Sequence, residues 1–114
     1  MAEVNPIRVL LVDDHAMLRQ CLRSTLKASP NIEVVGEASD GDEALLSVAN
    51  LQPAIVVMDI NMPRMDGITA TRLIKEQYSD IAVIGLSFGQ EQYKVCAMQE
   101  AGALHVIAKE NAQI

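Results

Sequence analysis

Hydrophobic residues along the chain follow two alternating patterns, short apolar runs and stripes at helical spacing. Short runs bounded by polar residues are typical of buried strands in a parallel sheet. Five such runs cover 7–12, 32–38, 54–58, 82–86 and 105–108. Between them, apolar residues recur at helical spacing in segments that begin near residues 17, 41, 66 and 90. The pattern predicts an α/β domain with five strands and four helices, the third of them capped by Asp66.

The alternation also predicts how the strands are ordered. Right-handed crossovers between parallel strands place helices on both faces of one sheet. We therefore predict a doubly wound, flavodoxin-like sheet in the strand order 2-1-3-4-5. In that order the carboxyl ends of strands 1 and 3 lie side by side, which is where open α/β sheets bind ligands. A fifth helix should begin where the sequence stops at Ile114. We expect that helix to be missing or truncated and residues 1–114 to be one domain of a longer protein.

Composition narrows the classes of function. The chain carries 9 basic and 15 acidic residues, a net charge of −6, which argues against direct nucleic-acid binding by this segment. No apolar stretch approaches the roughly 18 residues of a membrane span, and the first residues lack the features of a signal peptide. We therefore expect a cytoplasmic domain without membrane contact. Cys21 and Cys96 fall on apolar stripes and are predicted to be reduced core residues.

Polar side chains follow four of the five predicted strands. Asp13 and Asp14 follow strand 1, and Asp59 follows strand 3. Three ionised carboxylates in one place repel one another, and Mg²⁺, which prefers oxygen ligands, would relieve that repulsion. Ser87 ends strand 4 and Lys109 ends strand 5, so a hydroxyl and an ammonium could contact a phosphoryl group. An aspartate placed there can act as a nucleophile and form an acyl phosphate.

Five motifs, in order and spread over essentially the whole chain, carry a family resemblance. They are Val12-Asp13-Asp14-His15, Met58-Asp59-Ile60-Asn61-Met62-Pro63, Met65-Asp66-Gly67, Leu86-Ser87, and Ala101-Gly102-Ala103 followed by Lys109. With them the chain resembles a response-regulator receiver domain of two-component signalling. His15 followed by Arg19, together with Gly36-Glu37-Ala38, is similar to the subfamily that usually carries a C-terminal helix-turn-helix DNA-binding domain.

The resemblance implies a phosphorylation site and a metal site. Asp59 would accept a phosphoryl group from a sensor histidine kinase. Asp14 and Asp59 would bind Mg²⁺ directly, with the backbone carbonyl of Asn61 as a third protein ligand, and Asp13 would act through water. The resemblance also raises a homodimer as an arrangement of the parent protein. The phosphorylated domain would present a changed surface and so control an output, transcription by the subfamily likeness.

The resemblance further implies a switch. Ser87 would be the switch hydroxyl, and Lys109 would contact the phosphoryl group. The family usually has an aromatic residue three positions before this lysine, where the present chain has Val106. The residue after the switch hydroxyl is usually small, yet here it is Phe88, so Phe88 is a candidate for the moving ring.

Other functions stay open at this point. The chain could be the receiver segment of a hybrid kinase or a stand-alone receiver. An enzyme, a Mg²⁺-dependent phosphatase like those of the haloacid dehalogenase family, would use the same nucleophile and metal. Such enzymes normally need a second aspartate two residues after the nucleophile, where this chain has Asn61. We therefore predict a signalling domain whose own chemistry is phosphotransfer and self-dephosphorylation. His15 is predicted to be a surface or cap residue, because Mg²⁺ avoids imidazole.

Overall fold

The computed structural model describes residues 5–88 and 92–109. Strands and helices alternate along these residues. The strands are β1 (Ile7–Val12), β2 (Ile32–Ala38), β3 (Ile55–Asp59), β4 (Ala82–Ser87) and β5 (His105–Ala108). The helices are α1 (Ala16–Lys27), α2 (Gly41–Leu51), α3 (Gly67–Gln77) and α4 (Gln92–Glu100). Within the described ranges, no helix is both long enough and apolar enough to cross a membrane.

The five strands form one parallel sheet in the order β2-β1-β3-β4-β5. This confirms the predicted fold class and strand order, and the predicted strand limits hold to within one residue. The predicted start of α4 at Gln90 and the region expected to hold a fifth helix both lie outside the described residues.

The core has two parts, one on each face of the sheet, because successive strand residues point to opposite faces. Leu10 and Val12 of β1 pack in the larger cluster, which α2, α3 and α4 cover. Val9 and Leu11 of the same strand pack in the smaller cluster with Leu22 of α1. Helices on both faces are what a doubly wound sheet requires.

The prediction that both cysteines are core residues is wrong. Cys21 and Cys96 are exposed. On α1 the row that meets the sheet is Leu18, Leu22 and Leu26, spaced by four residues. Adjacent helical residues lie about 100° apart, so a residue immediately before this row turns away from the sheet. A stripe of paired apolar positions therefore contains one row that faces the core and one that faces solvent.

Close backbone contacts fix the loop between β3 and α3. The backbone N–H of Gly67 donates to the Ile60 carbonyl at 2.9 Å, and that of Gly41 donates to the Met65 carbonyl at 3.1 Å. A Cβ atom on Gly67 would lie 2.0 Å from the Asp59 carbonyl oxygen, so only glycine fits there. Asp66 caps α3 as predicted, with its carboxylate accepting from the Thr69 N–H at 2.8 Å. The loop that follows Asp59 is thus held between two helix starts.

Candidate functional site

The carboxyl edge of the sheet brings together three of the predicted site residues. The Lys109 Nζ atom lies 3.0 Å from Asp13 Oδ2 and 3.1 Å from Asp59 Oδ2. Asp13 and Asp59 are each 1% exposed and Lys109 is 4% exposed. Asp13 and Lys109 directly follow β1 and β5, and Asp59 ends β3. Strands β1 and β3 are neighbours in the sheet. The strand order therefore places two buried carboxylates against one buried ammonium.

Asp59 carries a carboxylate that is incompletely satisfied. Its Oδ1 atom accepts a 3.3 Å hydrogen bond from the Asn61 N–H. Its Oδ2 atom, like Oδ2 of Asp13, is buried and has no hydrogen-bond partner within the described residues, although both lie within ion-pair distance of Lys109. Burial and the neighbouring charge of Asp13 raise the pKa of Asp59 to about 7, against the lowering effect of Lys109. The geometry leaves this carboxylate short of positive charge.

His15 lies at the same edge, and its exposed N-cap position confirms its predicted role as a surface or cap residue. It occupies the N-cap position of α1 but forms no side-chain cap hydrogen bond. Its Nδ1 atom lies 2.9 Å from Asp13 Oδ1, 3.1 Å from Asp14 Oδ1 and 3.2 Å from Lys109 Nζ. The only sequence signal for this placement is its position directly after Asp13-Asp14. The side chain is 56% exposed, so it forms the outer wall of the acidic cluster.

Four residues offer ligand atoms for one divalent ion. Asp13, Asp14, His15 and Asp59 each contribute an atom, and these atoms all lie within 4.8 Å of one another. Carboxylate oxygens suit a hard divalent cation, and the two buried oxygens without hydrogen bonds have unused acceptor capacity. The residue set therefore fits Mg²⁺ at the predicted place.

Ser87 and Asn61 flank this cluster. Ser87 is buried at the end of β4 and pairs in register with Ala108, one residue before Lys109. Asn61 is exposed, and its Oδ1 atom accepts a 2.6 Å hydrogen bond from Lys94 Nζ of α4. The sequence pattern did not reveal this contact, because 33 residues separate its two ends. A side chain of α4 thus reaches the loop that follows Asp59.

The two residues that depart from the family pattern occupy different environments. Val106 is partly buried and packs against the larger core cluster. Phe88 is 59% exposed, and its ring centroid lies 5.4 Å from Lys109 Nζ, within range of a cation–π interaction. An aromatic ring therefore contacts the cluster from the β4 side, although the usual position in β5 lacks one.

Arg19 ties the start of α1 to β2 and to the site. Its guanidinium donates to the Asp13 carbonyl oxygen and, at 2.9 Å, to Glu37 Oε1. Arg23 donates to the other Glu37 oxygen at 2.6 Å. Hydrogen bonding from Arg23, and then from Arg19, lowers the pKa of Glu37. Arg19 and Glu37, two residues of the subfamily likeness, are thus in direct contact.

Known proteins resemble the chain in both sequence and fold. Residues 9–114 match the response regulator receiver domain family. The transcriptional regulatory protein LiaR of Bacillus subtilis is 47% identical over 103 residues, which cover 90% of this chain and 49% of LiaR. A protein-glutamate methylesterase/protein-glutamine glutaminase of Geobacter sulfurreducens is 42% identical over 103 residues, covering 90% of this chain and 28% of that protein.

Solved structures agree with this match. The response regulator domain of Thermotoga maritima CheB superposes with a TM-score of 0.84 at 35% identity, covering 96% of this chain and 83% of that domain. The chain spans half or less of the two curated relatives described above. What those longer proteins share with it is a segment of about 103 residues. The chain therefore belongs to the family of response regulator receiver domains of two-component signalling.

Proposed function

We propose that Asp59 of this receiver domain is the phosphoacceptor, loaded in the presence of Mg²⁺ by the phosphohistidine of a sensor histidine kinase. The observation that carries the proposal is the position of Lys109, whose ammonium lies within 3.1 Å of both Asp13 and Asp59. A buried carboxylate at this edge is suited to accept a phosphoryl group, and the ammonium of the neighbouring lysine is suited to balance the charge of that group.

The transfer needs an ionised Asp59. One carboxylate oxygen attacks phosphorus, a new P–O bond forms, and the P–N bond of the phosphohistidine breaks. The leaving imidazole keeps the electron pair of that bond and takes up a proton. Lys109 balances the added phosphoryl charge from its place between Asp13 and Asp59. When bound, Mg²⁺ supplies further stabilisation of the charge that develops on the phosphoryl oxygens.

The proposed metal ligands are Asp14, Asp59 and the backbone carbonyl of Asn61, with Asp13 acting through water. The grouping of carboxylate oxygens within 4.8 Å supports the site. Because a cation favours the ionised carboxylate, metal binding lowers the pKa of Asp59 from about 7. The same cation thereby increases the fraction of Asp59 that can act as a nucleophile at neutral pH.

The phosphorylated site then signals through Ser87 and α4. A phosphoryl group adds charge and acceptor oxygens beside Lys109. We propose that the Ser87 hydroxyl moves towards this group and donates a hydrogen bond to one of its oxygens. The hydrogen bond from Lys94 to Asn61 gives α4 a second link to the site. A change at the site therefore alters the surface that a partner, including a second copy of the domain, contacts.

Acetyl phosphate with Mg²⁺, followed by intact mass, tests the phosphoacceptor assignment. Wild type should gain the mass of one phosphoryl group, and Asp59→Asn should gain none. Asp80→Asn is a matched control, since Asp80 is an exposed aspartate away from the carboxyl edge. An equal gain in Asp59→Asn, or no gain in wild type, would refute the assignment. The family match does not favour the phosphatase alternative, and absence of turnover with small phosphate esters is the expected result.

We further propose that the domain works in the cytoplasm as the N-terminal part of a longer regulator of transcription. The likeness to LiaR, a transcriptional regulatory protein, supports this output. The likeness to methylesterases makes an enzymatic output the competing one. The reading frame downstream of Ile114 distinguishes them: a helix-turn-helix domain is expected, and a methylesterase domain would contradict a transcriptional output.

A further inference from the structure

We propose that Arg19 positions Asp13 for phosphoryl transfer and that Glu37 of β2 anchors Arg19 in that role. The inference rests on the proposed function of Asp59 and adds two positioning residues to it, neither of which touches the phosphoryl group. It also gives β2 a part in the reaction. None of the described residues of β2 (Ile32–Ala38) belongs to the acidic cluster, so the strand would act through α1.

The first support is the way in which the backbone of Asp13 is held. Its N–H donates to the Ala38 carbonyl at 3.0 Å. Its carbonyl oxygen accepts a hydrogen bond from the Arg19 guanidinium, which also donates to Glu37 Oε1 at 2.9 Å. Glu37 and Ala38 are the last two residues of β2. One strand end therefore fixes both polar groups of the Asp13 backbone, one of them through Arg19.

The second support is what the position of Asp13 determines. Asp13 lies one residue beyond the end of β1, where a side chain, and not a neighbouring strand, holds its carbonyl oxygen. Its carboxylate lies 3.0 Å from Lys109 Nζ, and the same ammonium lies 3.1 Å from Asp59 Oδ2. A shift of Asp13 would therefore move the cation that has to meet the incoming phosphoryl group. Displacements of about 1 Å in a reacting site can cost about 100-fold in rate.

The third support is a contrast between two arginines of α1. The planar guanidinium of Arg19 can serve two acceptors at once, and its side chain is only 18% exposed. Arg23, one turn further along the helix, donates to the other oxygen of Glu37 at 2.6 Å and is 45% exposed. Within the described residues Arg23 makes no hydrogen bond to Asp13. The two arginines share one anchor, and Arg19 alone of the two extends it to the site.

The rate at which acetyl phosphate modifies Asp59 in saturating Mg²⁺, followed by intact mass, tests the inference. Arg19→Gln should lower this rate by about 10-fold, as is typical when a group that orients a site residue is lost. Arg19→Lys keeps the charge beside Glu37 but loses the planar fork, so it should also slow the reaction. Arg23→Gln is the matched control and should keep the rate within about twofold, because the pair it removes is partly exposed.

A kinetic cycle separates positioning from a loss of stability. Asp13→Asn keeps Asp59 and Lys109, so it should still be phosphorylated, more slowly than wild type. If Arg19 acts through the Asp13 carboxylate, adding Arg19→Gln to Asp13→Asn should slow the reaction by less than about twofold, because coupled residues are not additive. Urea unfolding of each variant sets a temperature at which all of them are folded during the rate measurement.

Each outcome decides a stated claim. The inference would be overturned by an unchanged rate in Arg19→Gln, by an equal slowing in Arg23→Gln, or by the same slowing with and without Asp13→Asn. In these cases phosphorylation of wild type at Asp59 would leave the proposed function intact. No phosphorylation of wild type would refute the proposed function and the inference together. If Arg19→Gln does not fold, Arg19→Lys takes its place in the same comparisons.

Discussion

Asp40 and Asp59 are buried to the same extent, each 1% exposed, yet their carboxylates behave in opposite ways. At the start of α2, Asp40 accepts from the Glu43 N–H at 2.9 Å and pairs with the Arg64 guanidinium. The Glu43 hydrogen bond, followed by Arg64, lowers the pKa of Asp40. At the carboxyl edge of β3, burial raises the pKa of Asp59 to about 7.

The difference lies in how completely each carboxylate is satisfied. Asp40 has a partner for each oxygen, and it holds a helix start and a loop together. Asp59 has one long hydrogen bond, at 3.3 Å, and a second oxygen without one. A buried acid whose acceptor capacity is filled stabilises structure, whereas one left partly unfilled can take up a proton, a metal or a phosphoryl group.

The largest expected effect comes from removing the cation beside Asp59. Lys109→Met leaves Asp13 and Asp59 without their buried ammonium, so the free energy of unfolding should fall by about 3–5 kcal/mol at pH 8. The loss should be smaller at pH 5, because Asp59 takes up a proton there. Urea unfolding at both pH values measures this, with the exposed Lys27→Met as control. An equal loss at both pH values would contradict the charge argument.

Asp59→Asn should instead stabilise the metal-free domain. Because the pKa of Asp59 is about 7 in the folded protein and 3.8 in the reference state, the folded form holds the proton more tightly. Ionisation therefore reduces stability as pH rises from about 4 to 7, and the loss then stays constant. The full shift corresponds to on the order of 4 kcal/mol, so a gain of about 2–4 kcal/mol is expected at pH 8 and almost none at pH 4.

Urea unfolding with and without Mg²⁺ checks the Asp59 prediction. Added Mg²⁺ should stabilise wild type and reduce the advantage of Asp59→Asn, since a ligand of the folded state raises its stability. A destabilised Asp59→Asn variant at pH 8 would show that Asp59, like Asp40, is a structural carboxylate.

Asp40→Ala tests the other member of the pair. Loss of the N-cap should lower Tm by about 5 °C, a smaller change than at Lys109. The pKa of Asp40 is lowered in the folded state, so its contribution is present above its ordinary pKa and is lost only in more acidic solution. The loss should therefore be the same at pH 5 and pH 8, in contrast to Asp59. Thermal unfolding at both pH values measures it, with Asp80→Ala as control.

The smallest effect is expected at Arg64, which is 67% exposed. Arg64→Ala should lower Tm by no more than about 3 °C, because exposed ion pairs contribute little. Arg64 has a φ of 65°, a left-handed conformation that glycine adopts without steric strain. Arg64→Gly should therefore melt above Arg64→Ala. Because both variants lack the ion pair with Asp40, the reverse order in paired thermal scans would mean that relief of backbone strain does not outweigh the greater freedom of glycine in the unfolded chain.

Much of the fold and part of the site follow from local sequence signals. Runs that end in Asp13, Asp59, Ser87 and Lys109 reveal the carboxyl edge, because parallel strands all end on the same side of a sheet. Three of these residues, Asp13, Asp59 and Lys109, lie at that edge, and the lysine forms ion pairs with both aspartates. Their separate roles in metal binding and phosphotransfer remain predictions that the experiments above test.

What the sequence does not reveal are contacts between distant side chains. Lys94 with Asn61 and Arg64 with Asp40 are separated by 33 and 24 residues, and no period or turn rule connects such pairs. The position of His15 depends on a rotamer at the start of α1, which a pattern of polar residues cannot specify. The exposure of Cys21 has a related cause, since the helix turns this residue away from the sheet.

The arrangement of Lys109 between Asp13 and Asp59 also has a consequence for synthesis on the ribosome. Both aspartates precede this lysine, which emerges about 50 residues after Asp59. Synthesis proceeds at about 5–20 residues per second. Strands β1 and β3 are therefore available to pair for several seconds before Lys109, the cation that contacts Asp13 and Asp59, has been made. A nascent chain of that length would carry Asp13 and Asp59 without the ammonium that lies between them in the folded domain. Cations in solution would therefore favour early pairing of β1 with β3, and the later synthesis of β5 and Lys109 completes the electrostatic balance at this edge.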